Sequence, residues 1–173
     1  KQIIICLLGF LDSICKRYKI IYLNNDWESP PANCFDKISV MYSFEGLLSS
    51  EVIAKFKYGI INIHPAKLPE YRGLDASIWA LMEGQEAGVS AYLVDKGIDT
   101  GKVIKFFPLR NQRIISLDIH LASLKKLKYA SYAEAIRLYR RGEIENQEPI
   151  VAKNQNRGLM SKRVMEEVIN HLK

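Results

Sequence analysis

Tyr58-Gly59-Ile60-Ile61-Asn62-Ile63-His64-Pro65 is the stretch that decides how this 173-residue chain is read. Residues 58–63 are mostly apolar and rich in β-branched side chains, so the run predicts a buried strand. Side chains alternate along a strand, so Asn62 and His64 share one face. Pro65 lacks the N–H that a ladder needs, and the strand is expected to end there. A carboxamide and an imidazole then stand together at a strand's carboxyl end. In open α/β sheets that edge is where ligands bind.

An amide donor beside an imidazole suits acyl transfer. The Asn62 side chain can donate to an oxygen that turns negative in a tetrahedral intermediate. His64 can hold that oxygen or move a proton off the attacking group. A carboxylate would fix the charge state of the imidazole or relay protons through water. Asp95 and Asp99 are the candidates, both in Val94-Asp95-Lys96-Gly97-Ile98-Asp99-Thr100-Gly101. No Ser or Cys in these motifs offers a nucleophile, which favours direct attack by a substrate amine over a covalent acyl-enzyme. Asp99-Thr100-Gly101 also spells the aspartic protease triplet, but such enzymes need two carboxylates sharing a proton. Taken alone, Asp before Thr-Gly is ordinary turn chemistry.

Asn62-Ile63-His64-Pro65, Leu68-Pro69-Glu70-Tyr71-Arg72-Gly73 and Asp95-Lys96-Gly97-Ile98-Asp99-Thr100-Gly101 resemble, in order and spacing, the signature of the 10-formyltetrahydrofolate-dependent formyltransferases. That family includes glycinamide ribonucleotide, methionyl-tRNA and amino-sugar formyltransferases. The resemblance is clear over residues 39–104 and fades beyond. It implies a catalytic trio. Asn62 would polarise the formyl carbonyl, His64 would stabilise the oxyanion and assist proton transfer, and Asp99 would orient His64 and a water. It implies that Glu45, Gly46, Leu47 and Leu48, with Val94, Asp95, Lys96, Gly97 and Ile98, hold the pterin of 10-formyltetrahydrofolate, mostly by backbone groups. Pro65, Tyr71, Arg72 and Gly73 would border the acceptor. Asp95 also reads as a loop-shaping carboxylate, and Arg72-Gly73 as a tight turn. The resemblance implies no metal.

The activity so implied is formyl transfer to a primary amine of a small, phosphorylated metabolite. Ile78-Trp79-Ala80-Leu81, and Asn156-Arg157-Gly158 with Lys162-Arg163, resemble segments of the amino-sugar enzymes, which favours a nucleotide-linked amino sugar. The runner-up is phosphoribosylglycinamide formyltransferase. Against it, Leu8-Gly9-Phe10-Leu11-Asp12-Ser13 has one Gly and bulky neighbours where that enzyme carries a phosphate loop. A further alternative is a non-catalytic folate-binding relative. The residues after Ile104 read as largely helical, without the barrel domain of the methionyl-tRNA enzymes. Ala66 stands where the family often has Ser.

Composition is that of a globular protein, with 48% hydrophobic and 25% charged residues. One domain over 1–173 is expected, with a core at 1–110 and a helical part at 115–173. The net charge of +6 suits anionic ligands such as folate's glutamate tail or a phosphorylated acceptor. It does not by itself make a nucleic-acid binder, and Lys125, Lys126 and Lys128 read as a solvated helix face. Cys6, Cys15 and Cys34 are an odd number without paired spacing and read as free thiols. The apolar run 3–11 is too short to span a membrane and no small-residue cleavage site follows it. The reading is cytoplasmic, without membrane or nucleic-acid partners.

Periodicity predicts strands at 2–8, 19–24, 38–42, 58–63, 89–94 and 103–107. It predicts helices at 10–17, 51–56, 74–83, 116–141 and 161–172, the fourth with a candidate break at 128–131. Strands alternating with helices predict the α/β class: a single doubly wound, mostly parallel, Rossmann-like sheet flanked by helices. Both motif segments are expected at one carboxyl edge. Trp79 is expected in the core and His120 at the surface.

Overall fold

A computed structural model describes residues 4–6, 32, 35–36, 38–41, 47–110, 116–144, 158 and 161–171 of the chain. The helix expected at 10–17, the strand at 19–24, the 8–13 segment, Cys15, Cys34 and residues 149–157 lie outside the described residues.

Five strands form one sheet: β1 (Ile4–Cys6), β2 (Ser39–Met41), β3 (Ile60–His64), β4 (Gly88–Leu93) and β5 (Val103–Pro108), side by side in chain order. Helices α1 (Ser50–Ala54), α2 (Ala76–Met82), α3 (Leu117–Arg141) and α4 (Lys162–His171) accompany it. The α/β class therefore stands. The strand direction needs a correction. β1, β2 and β3 run parallel, but β3–β4 and β4–β5 are antiparallel. The physical reason is where the connections begin and end. Residues 65–87, α2 included, leave β3 at its carboxyl end and enter β4 at that same end, with His64 opposite Ser90. Residues 94–102 form a hairpin, which can join only antiparallel strands.

β3 also begins later than the apolar run. Gly59 has φ +68°, a left-handed conformation that ends the preceding turn, and pairing starts at Ile60. The strand extends through His64, so the imidazole is a ladder residue rather than a loop residue.

The two sides of β3 face different chemistry. Ile61 and Ile63 join Val89, Ala91 and Ile104 in a buried layer against Leu124, Tyr132, Ala135, Ile136 and Leu138 of α3. Burying each large aliphatic side chain is worth about 1.5–3 kcal/mol, so this layer anchors the sheet. Asn62 and His64, one residue out of phase, face the other way, opposite Tyr92 and Ser90. Helix α3 runs unbroken through 128–131. The Ser116 hydroxyl caps its start by accepting from the Ile119 N–H. Gly142 at φ +71° closes its end. Helix α4 lays Val164 and Val168 on Ile78, Trp79 and Leu81 of α2 and on Leu117.

His120 corrects the surface expectation. It is 1% exposed, and neither ring nitrogen has a hydrogen-bond partner among the described residues. It lies four residues before the buried Leu124, on the same stripe of α3. Burial pushes its imidazole below the ordinary value. The unfolded chain then takes up the proton first, so stability present above the unfolded value of 6.5 is lost as pH falls through it. His120→Leu is expected to stabilise the protein by about 1–3 kcal/mol by removing an unpaired buried polar group. It should also flatten the loss of stability on the acid side. Urea denaturation at pH 7.5 and 5.5 measures both effects, and equal or lower stability at both would contradict the account.

Candidate active site

A connected polar cluster lies on the sheet face away from α3. The Asn62 Oδ1 accepts from the Ile63 N–H at 2.9 Å. Its Nδ2 donates to the Tyr92 hydroxyl at 3.1 Å. That hydroxyl donates to Asp99 Oδ1 at 2.8 Å. The other carboxylate oxygen, Oδ2, accepts from the Gly73 N–H at 2.9 Å and stands 3.3 Å from His64 Nδ1. On the far side of the ring, His64 Nε2 stands 2.7 Å from the Tyr71 carbonyl oxygen.

The path of the chain explains how Asp99 arrives there. β4 ends beside the start of β3, with Leu93 opposite Ile61. The two motif segments therefore do not leave the sheet at one edge, as parallel strands would. Instead residues 94–102 double back over the face, and Asp99 meets the far end of β3. Two local features shape the return. Asp95 Oδ1 accepts from the Gly97 N–H and the Thr100 hydroxyl, an Asx-type turn. Asp99 sits at φ +51°, a left-handed conformation that Asp tolerates better than most residues.

Residues 65–75 close the other side. Ser90, opposite His64, donates its hydroxyl to the Ala66 carbonyl and accepts from the Leu68 N–H. The Tyr71 hydroxyl donates to Glu83 Oε2 at 2.6 Å, tying this loop to the end of α2. Gly73 has φ +89°, where only glycine is at ease, and its N–H reaches Asp99.

The electrostatics follow from burial. His64 is pushed below its ordinary value, first by burial and also by Lys128 of α3. The Asp99 charge and the Tyr71 carbonyl pull against this. Burial pushes Lys128 down to about 8, opposed by Asp99. Lys128 is half-buried, not part of a solvated face. Burial, and then the Asp99 charge, raise Tyr92, which therefore keeps its proton and remains a donor. A neutral imidazole has one N–H, yet both His64 nitrogens face oxygen acceptors. Burial keeps the ring from taking up a second proton despite those two acceptors.

The family model described as Formyl transferase matches residues 36–107. That segment contains Asn62, His64, Asp99 and the loops that join them. Over that segment the chain matches the formyltransferase family. A methionyl-tRNA formyltransferase of Caldanaerobacter subterraneus subsp. tengcongensis is 36% identical over 69 residues, 39% of this chain and 22% of that protein. The match thus spans well under half of that relative's length. Among solved structures, formyltransferase PseJ from Anoxybacillus kamchatkensis, in complex with UDP-4,6-dideoxy-4-formamido-L-AltNAc and tetrahydrofolate, has the same fold. Its TM-score is 0.74 at 19% identity, over 96% of this chain and 90% of that one. Phosphoribosylglycinamide formyltransferase from Streptococcus pneumoniae TIGR4 also shares the fold, at TM-score 0.62 and 19% identity over 79% of this chain and 97% of that one.

In this chain the two segments read as the donor loops meet through side chains. Leu48 packs with Val52 and Ile60, and Val94 packs on the same cluster. Leu47 and Ile98 are exposed, at 56% and 40%. Lys96 is exposed, Gly97 half-buried, and Glu45 and Gly46 lie outside the described residues. Of the residues read as bordering an acceptor, Tyr71 is buried and Pro65, Arg72 and Gly73 are half-buried. Trp79 packs on Ala66, Tyr71, Ala76 and Ala80, and its Nε1 donates to the Gly158 carbonyl. Tyr92, Ser90 and Glu83 were not singled out by the sequence. The first two alternate along β4 on the side facing Asn62 and His64, and that pattern was available. A cavity of about 370 Å³ on α3, lined by Ala133, Ile136, Arg137, Arg140 and Arg141, shares no residue with this cluster. No helix among the described residues is long and apolar enough to cross a membrane.

Proposed function

We propose that this chain transfers the formyl group of 10-formyltetrahydrofolate to a primary amine of a nucleotide-linked amino sugar, by direct attack of the amine. The observation that carries the reading is the connected polar cluster that joins Asn62 through Tyr92 to Asp99 by hydrogen bonds and sets Asp99 3.3 Å from His64, inside the family-matched segment. The donor supplies a formyl group on a nitrogen leaving group. Everything else is orientation and charge, which these residues supply.

Asn62 has its Oδ1 committed to the Ile63 N–H and one Nδ2 hydrogen committed to Tyr92. Its second Nδ2 hydrogen donates to the formyl oxygen and strengthens as that oxygen becomes negative. Asp99 is the more exposed member of the pair, 14% against 5% for His64. Proton exchange with the cleft therefore runs through the Asp99 carboxylate or a water on it, with His64 behind it holding the carboxylate in place. The attacking nitrogen loses its proton and the donor nitrogen gains one. Leu47, Leu48, Val94 and Ile98, with the backbone of 94–98, would hold the pterin. Pro65, Arg72 and Gly73 would border the acceptor.

The acceptor class draws support from the UDP-linked formamido sugar in the PseJ complex, whose fold matches nearly the whole of this chain. Phosphoribosylglycinamide is the second reading, favoured by the fold match over 97% of the Streptococcus pneumoniae chain. The test is a panel of UDP- and dTDP-linked amino sugars, phosphoribosylglycinamide and methionyl-tRNA, each with 10-formyltetrahydrofolate. Release of tetrahydrofolate and the mass of the acceptor are followed. Saturable formylation of an amino-sugar nucleotide is expected. Tight folate binding with no amine accelerating formyl loss would make the chain a binding relative instead.

A further inference from the structure

We propose that Tyr92 is a positioning residue that decides which edge of the Asn62 amide faces the cleft. The inference rests on the transfer reading above and deepens it. An amide side chain is nearly symmetric in shape, and reversed it would present an acceptor where a donor is needed. Two contacts prevent this. The Ile63 N–H holds Oδ1 on one side. On the other side the Tyr92 hydroxyl has one proton, and Asp99 Oδ1 takes it at 2.8 Å. Towards Asn62 the hydroxyl can therefore only accept, and Nδ2 must face it, at 3.1 Å.

The hydroxyl thus transmits polarity from carboxylate to carboxamide. Because Asp99 is an acceptor, Asn62 is presented as a donor. Tyr92 is 3% exposed and opposite Asn62 in the ladder, so its ring cannot swing away without opening the sheet face. The ring also packs with Leu68 and Val103, a structural role that needs no hydroxyl.

Tyr92→Phe separates the two roles, since it keeps the ring and removes one oxygen. Steady-state kinetics should show kcat lowered roughly 10- to 100-fold, the scale of a hydrogen bond to a charged group. KM for donor and acceptor should stay within about twofold. Val103→Ala, in the same apolar cluster, should leave kcat within about threefold, which separates lost packing from lost polarity. A second measurement does not need catalysis. In the ¹⁵N spectrum of the wild-type chain the Asn62 side-chain amide proton bonded to Tyr92 should be protected from exchange. In Tyr92→Phe that proton should shift and exchange faster. An unprotected Asn62 amide in the wild type would overturn the proposal, as would unchanged kcat in Tyr92→Phe. If the wild type transfers no formyl group to any amine, the transfer reading falls. The amide spectra then still decide whether Tyr92 sets the orientation of Asn62.

Discussion

Asn62→Ala is expected to lower kcat by roughly 10²–10³-fold, the loss measured when one preorganised donor to a developing oxyanion is removed. Asn62 is fixed before any substrate arrives, by Ile63 on one side and Tyr92 on the other. Its donor therefore needs no reorganisation as charge develops. The fold should survive, because Ile61 and Ile63 carry the packing of β3 against α3 and Asn62 faces away from that layer. Asn62→Asp is the sharper variant. It keeps the shape and can still accept from the Ile63 N–H, but it offers an acceptor where the formyl oxygen would sit. It should be at least as damaging as alanine. Single-turnover formyl transfer, with urea denaturation as the control for folding, measures both. Activity within about threefold of wild type in Asn62→Asp would remove the oxyanion role.

What the sequence made legible was local. An apolar β-branched run with Asn and His two residues apart places both on one face, whatever the strand pairs with. The turn chemistry of Asp95-Lys96-Gly97-Ile98-Asp99-Thr100-Gly101 needs only neighbours. What stayed hidden depended on partners across the sheet. Tyr92 matters because antiparallel register sets it opposite Asn62, and a parallel β4 would have placed the loop at 94–102 on the other edge. Direction is not written in a strand's own residues. It follows from the 65–87 connection returning to the edge it left. His120 was hidden for a different reason. Its place on the stripe with Leu124, Ser131, Ala135 and Leu138 was visible at helical spacing, but residue type outweighed position. Lys128 was misread in the same way, as one of a run of lysines, although its neighbours on the helix face are buried.

Asp99→Asn should cost roughly 10²–10⁴ in kcat/KM, although it changes almost nothing in volume. The carboxylate is an acceptor on both sides. Oδ1 takes the Tyr92 proton, while Oδ2 takes the Gly73 N–H and faces His64 Nδ1. An amide can accept on one side only. With its NH₂ towards Gly73, a donor faces a donor and His64 must move its proton to the other nitrogen. With its NH₂ towards Tyr92, the hydroxyl must accept there and turn its proton on Asn62, whose Nδ2 also donates. Either way one link of the cluster is reversed, so the damage spreads from the proton path to the oxyanion donor. The pH profile carries a second signature. His64 is already pushed down by burial, and Asp99 is the largest influence raising it. Wild-type activity that depends on a neutral ring should persist below the ordinary value of 6.5. Without the carboxylate charge, His64 falls further, so the acid limb of kcat/KM should move to lower pH in Asp99→Asn. A limb that moved upward, or a variant as active as the wild type, would mean that His64 and Asp99 do not work as a pair.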